Sequence, residues 1–130
     1  MGWGDVLKSA LGGAGVPTEI LDLAKSGNID LPLSGDSESM LSDMLTKGVF
    51  NNKSDFLTFL VTQYMKNNLG SMMSGGKTPP ESAIMDIITK SGIGKGYEEG
   101  DIKKMMVPML IQAFFAVYKL MSRTPAMKPA

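Results

Sequence analysis

The chain has 130 residues and a mass of 13.9 kDa, the size of one domain. Thirteen basic residues balance thirteen acidic ones, and cysteine and histidine are both absent. That removes disulfides, Cys/His zinc sites, Ser-His-Asp and Cys-His catalysis, and histidine pH switches from consideration.

What remains is carboxylates, lysines, hydroxyls and twelve methionines, in a chain that is 43% hydrophobic and 20% charged. This composition belongs to a globular protein rather than a disordered one. The neutral total hides a gradient. Residues 1–48 hold seven acids and three lysines, a net −4, and residues 49–101 a net −1. Residues 102–130 hold no acid and carry +5 through Lys103, Lys104, Lys119, Arg123 and Lys128. An acidic head and a basic tail result.

Glycines cut the chain into helical pieces. From Gly4 to Leu11, Trp3, Val6, Leu7, Ala10 and Leu11 recur at helical spacing, and Gly12-Gly13-Ala14-Gly15 ends the stripe. Pro17-Thr18 opens a second short helix with Ile20, Leu21 and Ala24 on one face, closed by Ser26-Gly27. A loop with apolar teeth follows from Asn28 to Gly35. Asp36 or Ser37 is the expected cap of a third helix carrying Met40, Leu41, Met44 and Leu45 up to Gly48.

Ser54 is the expected cap of a fourth helix, Asp55 to Leu69, that buries Phe56, Leu57, Phe59, Leu60, Tyr64 and Met65. A Ser/Met/Gly connection runs from Gly70 to Gly76. Thr78-Pro79-Pro80-Glu81 reads as a capping box opening a fifth helix, with Thr78 as cap, Pro79 first in the helix, and Ala83, Ile84, Ile87 and Ile88 facing inward. Ser91-Gly92 ends it, and Ile93-Gly94-Lys95-Gly96 follows. The last helix, Asp101 to Ser122, spans 22 residues, or ~33 Å at ~1.5 Å per residue. Its Met105–Tyr118 stretch is apolar nearly all round, interrupted only by Pro108 and Gln112. Such a helix is central in a bundle, at an interface, or in a membrane. Pro108 is expected to kink it and free a carbonyl one turn back.

No alternating strand pattern and no internal repeat stands out. The expected fold is therefore all-α, a single helical domain over residues 1–130 with five or six helices, a long apolar C-terminal helix central to a bundle or interface, and a tail at 123–130.

Motifs that could carry chemistry are weak. Gly76-Lys77-Thr78 resembles the end of a phosphate loop, but Ser71 stands where that pattern needs glycine. No strand precedes it, and Pro79 and Pro80 remove two N–H groups from the helix start. Gly92–Gly96 lacks the strand and the later acidic residue of a dinucleotide loop, so it reads as a connector. Glu98, Glu99 and Asp101, like Asp36, Glu38 and Asp43, suit helix N-termini and lack calcium-loop spacing. The pairs Met40/Met44 and Met105/Met109 are spaced to share a helix face. Thioethers could hold Cu(I), yet methionine more often fills cores or adapts to partners.

No catalytic residue, cofactor or metal is expected, and no small-molecule substrate suggests itself. Five positive charges over 29 residues, without interleaved aromatics, do not make a nucleic-acid surface. The reading that remains is a non-enzymatic structural or interaction protein, a subunit of a capsid, filament or similar particle. It would act through Met/Phe-rich helical surfaces and associate with itself or with other subunits. Its candidate contact residues are Trp3, Met105, Met109, Phe114, Phe115, Tyr118, Lys103, Lys104 and Arg123. The alternative is a small membrane-associated protein inserting residues 102–121, although the apolar run is short of the ~20 residues of a full span. No secretory signal is read at the N-terminus. The expected location is the cytoplasm or an assembled particle, with membrane contact as the variant.

Overall fold

The computed structural model describes residue 31 and residues 33–123, and every structural statement below concerns these. The two predicted helices over 4–11 and 17–25, Trp3, the side chain of Arg123 and the 124–130 part of the tail lie outside them. Among the described residues the structure is all-helical with no strand. The helices are α1 (Gly35–Thr46), α2 (Lys53–Lys66), the single turn α3 (Leu69–Met72), α4 (Glu81–Ser91) and a long C-terminal helix, α5. This last helix is α-helical over Glu99–Asp101, π-helical over Ile102–Met106 and α-helical over Val107–Arg123. α1, α2 and α4 all pack against α5, so the apolar C-terminal helix is the centre of the bundle, as its composition implied.

Helix starts follow local chemistry that the sequence reading placed slightly wrong. α1 begins two residues early. Ser34, not Asp36 or Ser37, is its cap, with the Ser34 hydroxyl accepting from the Ser37 backbone N–H at 3.4 Å. Asn52 rather than Ser54 caps α2, its side-chain oxygen accepting from Asp55 N–H at 2.9 Å. α2 also stops at Lys66, because Asn68 turns left-handed (φ 54) and breaks the run before Leu69. Asparagine tolerates that conformation better than most residues do. Met65, expected to be buried, therefore lies in a last turn bordering solvent and is 36% exposed.

The expected capping box at α4 does not form. Pro80 itself stands at the cap position in extended conformation (ψ 144), with no side-chain cap. A proline disfavours helical geometry in the residue before it, so Pro80 keeps Pro79 out of the helix and Pro79 does the same to Thr78. Pro79 is instead buried. At the far end Gly92 (φ 77) makes the predicted glycine cap.

The core extends beyond the predicted faces. α2 is buried nearly all round, with Phe56 to Thr62 and Tyr64 inside. Thr58 and Thr62 satisfy their hydroxyls by donating to the backbone carbonyls of Ser54 and Thr58, four residues back, at 2.9 and 2.7 Å. Phe50, in the loop between α1 and α2, is fully buried. Its ring packs 5.2 Å from that of Phe56 and 5.3 Å from that of Phe59. Met40, Met44, Leu69, Met73, Ile84, Ile87 and Ile88 complete the wall around α5.

The glycine-rich loop after α4 is a packing element. Ile93 is buried, and a Cβ on Gly94 would lie 2.8 Å from Ile88 Cγ2 and 2.9 Å from Ile102 Cδ1. Glycine there lets the backbone pass close to α4 and α5. The turn before α4 is equally local: Gly76 and Lys77 donate their N–H groups to the Met73 carbonyl.

Candidate interaction surface

Pro108 explains the shape of α5. It has no N–H to give to Lys104, and its ring would crowd that carbonyl. The helix responds with one widened turn, in which Val107 N–H donates to the Ile102 carbonyl, five residues back. Pro108 then lies in the first turn of the α-helical part, where a missing N–H costs nothing. The expected kink is thus realised as a π turn.

The widened turn also separates two residues that ordinary α-helical spacing would align. Met105 is 39% exposed whereas Met109 is fully buried, so they do not share a face. Met40 and Met44 are both in the core. Neither pair presents a two-thioether site at the surface.

α5 has two unlike sides. Met106, Val107, Met109, Leu110, Ala113, Phe114, Val117 and Met121 are buried against α1, α2 and α4. Of the predicted contact residues, Met109 and Phe114 are therefore core residues, fully covered by this chain itself, and no surface contact can use them. The other side carries Lys104, Met105, Pro108, Ile111, Gln112, Phe115, Tyr118 and Lys119, all exposed or half-buried. Pro108, Gln112, Phe115 and Lys119 follow one another at α-helical spacing, with Ile111 and Tyr118 beside them. The stripe is thus more apolar than the outward face of an ordinary bundle helix.

Three interactions organise it. The Phe115 and Tyr118 rings meet edge-on at 6.0 Å. Lys119 Nζ stands 5.6 Å from the Phe115 ring centre, within the range of a cation–π contact. Gln112, midway along, bonds Ser34 twice: Ser34 N–H donates to Gln112 Oε1 at 2.8 Å, and Gln112 Nε2 donates to Ser34 Oγ at 3.2 Å. The cap of α1 is thereby tied to the middle of the stripe. Lys103 is exposed and paired with Glu99 at 3.3 Å. Further apolar exposure comes from Met65 and Met72, the latter 43% exposed. Sequence periodicity alone missed the contribution of Pro108 and Ile111, which depends on knowing which side of an all-apolar helix faces the bundle.

The most polar cluster is a clasp between α1 and the loop before α5. Tyr97 hydroxyl donates to Asp43 Oδ2 at 2.8 Å, Lys47 pairs with the same oxygen at 3.3 Å, and Lys47 Nζ lies 4.1 Å from the Tyr97 ring centre. The Tyr97 hydrogen bond, helped by Lys47, holds the Asp43 carboxyl below its ordinary value. Desolvation, then the hydrogen bond to Asp43 and the Asp43 charge, push the Tyr97 hydroxyl up. The cluster fastens the loop before α5 to α1. Burial, with Tyr118 nearby, likewise pushes Tyr64 up to about 12. Among the described residues no three carboxylates converge in a way that could hold a metal ion.

Comparison with protein-family models, with curated proteins and with solved structures finds no match for this chain. One helix, Glu99–Met121, is long and apolar enough to cross a membrane by length and composition, and half of its most apolar stretch is buried inside the bundle.

Proposed function

We propose that this protein is a non-enzymatic subunit of a larger assembly and makes its contacts through the outward stripe of α5. The observation that carries this reading is the apolar character of that stripe. Pro108 is exposed, and Ile111, Phe115 and Tyr118 are half-buried at the edge of the core, on a helix whose opposite side already fills it. Adaptable Met105 and the aromatic pair Phe115/Tyr118 are the residue types that dominate protein contacts. The acidic head and basic tail favour heterologous, head-to-tail association, which produces rings or filaments. Capsid or filament subunits are the concrete forms. Light scattering across a concentration series tests this reading. Species larger than 13.9 kDa that grow with concentration are expected, and a monomer of that mass at the highest concentration refutes it.

A second reading, a membrane-associated protein, draws on the hydropathy of the Glu99–Met121 helix. Complete insertion would pull Met106, Met109, Leu110 and Phe114 out of the core they share with α1, α2 and α4. The form that keeps the bundle intact is peripheral contact through the outward stripe, with Lys104 and Lys119 meeting anionic headgroups. Flotation with vesicles of anionic lipid separates the two readings. Protein remaining at the bottom of the gradient excludes membrane contact.

A further inference from the structure

We propose that Met105 of the free subunit is a site of oxidation by hydrogen peroxide, and that its sulfoxide weakens the contact made by the outward stripe of α5. The effect on contact rests on the assembly reading; the assignment of the site does not.

The chain has no cysteine, so thioethers are its only sulfur groups. Their oxidation follows access of the oxidant to sulfur. Ten methionines lie among the described residues, and packing sorts them sharply. Six are buried, Met85 is half-buried, and Met65, Met72 and Met105 are exposed. Met65 and Met72 lie on α2 and α3, so Met105 is the exposed thioether of α5. Met106 beside it and Met109 just beyond are fully buried. Pro108 is the reason for that contrast. The widened turn before it places Met105 out of register with Met109 and leaves the sulfur on the solvent side.

In the reaction a sulfur lone pair attacks one peroxide oxygen. The S–O bond forms as the O–O bond breaks, and the second oxygen leaves as water after taking up the proton. Sulfur loses two electrons and the peroxide gains them. The product is polar and chiral where the thioether was soft and adaptable. An apolar partner face offers the new oxygen no donor. Sealing it there carries the penalty of a buried unpaired acceptor, which corresponds to about tenfold or more in affinity. The linkage is reciprocal: a partner seated on the stripe shields Met105 from peroxide.

The full chain is treated briefly with hydrogen peroxide, circular dichroism checks that helical content is unchanged, and mass spectrometry of peptides maps the added oxygen. In dilute protein Met105 is expected to oxidise with Met65 and Met72, well ahead of Met106 and Met109. Met105 oxidising no faster than Met106 overturns the site. Light scattering then reads association. Met65→Leu with Met72→Leu, which keeps Met105, is expected to associate about tenfold more weakly after peroxide. Methionine sulfoxide reductases are expected to restore it, a dithiol becoming a disulfide as the oxygen leaves in water. Met105→Leu is expected to associate like the untreated chain and to be indifferent to peroxide. Met105→Gln, with a permanent polar group at that position, is expected to associate weakly without peroxide. Peroxide sensitivity that survives in Met105→Leu overturns the proposal, as does full association of Met105→Gln or of the oxidised double variant. An untreated chain that stays a 13.9 kDa monomer at the highest concentration refutes the assembly reading and, with it, the effect on contact. The oxidation map upholds or overturns the site in either case.

Discussion

Phe114 and Phe115 are neighbours in sequence and opposite in environment, so truncating each in turn reports where α5 sits. Phe114 is fully buried among residues of the central core. Phe114→Ala removes a buried ring that the surroundings refill only in part, at a cost of ~3–5 kcal/mol. Phe115 is half-buried and makes an edge contact with Tyr118 at 6.0 Å and a cation contact with Lys119 at 5.6 Å. Exposed contacts of these kinds are worth ~0.5–1 kcal/mol each, so Phe115→Ala is expected to cost ~1–2 kcal/mol. In urea unfolding followed by circular dichroism, with a slope near ~2 kcal/mol per molar, the midpoint falls by ~2 M for Phe114→Ala and by ~0.5–1 M for Phe115→Ala. The slope itself is expected to stay constant, since neither change alters the surface exposed on unfolding. Equal shifts, or a larger one for Phe115→Ala, refute this placement of α5. The same pair separates core from contact: self-association is expected to weaken with Phe115→Ala, through loss of the stripe.

Two further outcomes follow from single contacts. Ser34→Ala removes both the cap of α1 and one partner of Gln112, and is expected to cost ~1–2 kcal/mol. Gln112→Ala, which spares the cap, is expected to cost less, and urea midpoints order the two. The second outcome concerns pH. A tyrosine whose folded value is raised contributes stability that is whole below its unfolded value and declines as pH rises. Tyr64, raised from 10.0 to about 12, therefore makes unfolding easier between those two pH values. Tyr64→Phe is expected to flatten that decline in part, leaving the same-direction contribution of Tyr97, and pH-dependent urea titrations measure the difference. Asp43 acts at the acid end with the opposite sign. Its stabilising effect is present above 3.8 and is lost as pH falls through its lowered value.

Much of this fold was legible from local pattern. The 3.6-residue apolar period located α1, α2, α4 and α5, and Gly92 marked its helix end, because these features are set within a few residues. Boundaries moved where two local rules competed. Thr78 looked like a cap until the paired prolines kept it out of the helix, and Asn52 outcompeted Ser54 for the start of α2. Phe50 went unassigned because a lone aromatic in a loop has no period to read, and its burial depends on Phe56 and Phe59 arriving from another segment.

The missing cysteines and histidines, the −4 head and the +5 tail, and an apolar C-terminal helix are properties of the sequence by itself. They fixed what chemistry was open to this protein. Which side of that helix is surface was not among them. Between Met105 and Tyr118 the only polar side chain is Gln112, too little to mark the outside, so the choice between Phe114 and Phe115, or Met109 and Met105, passes to its neighbours. α1, α2 and α4 claim one side of α5, and the π turn before Pro108 places Met105 and Met109 in different environments. Packing alone decided which apolar residues this protein keeps and which it offers.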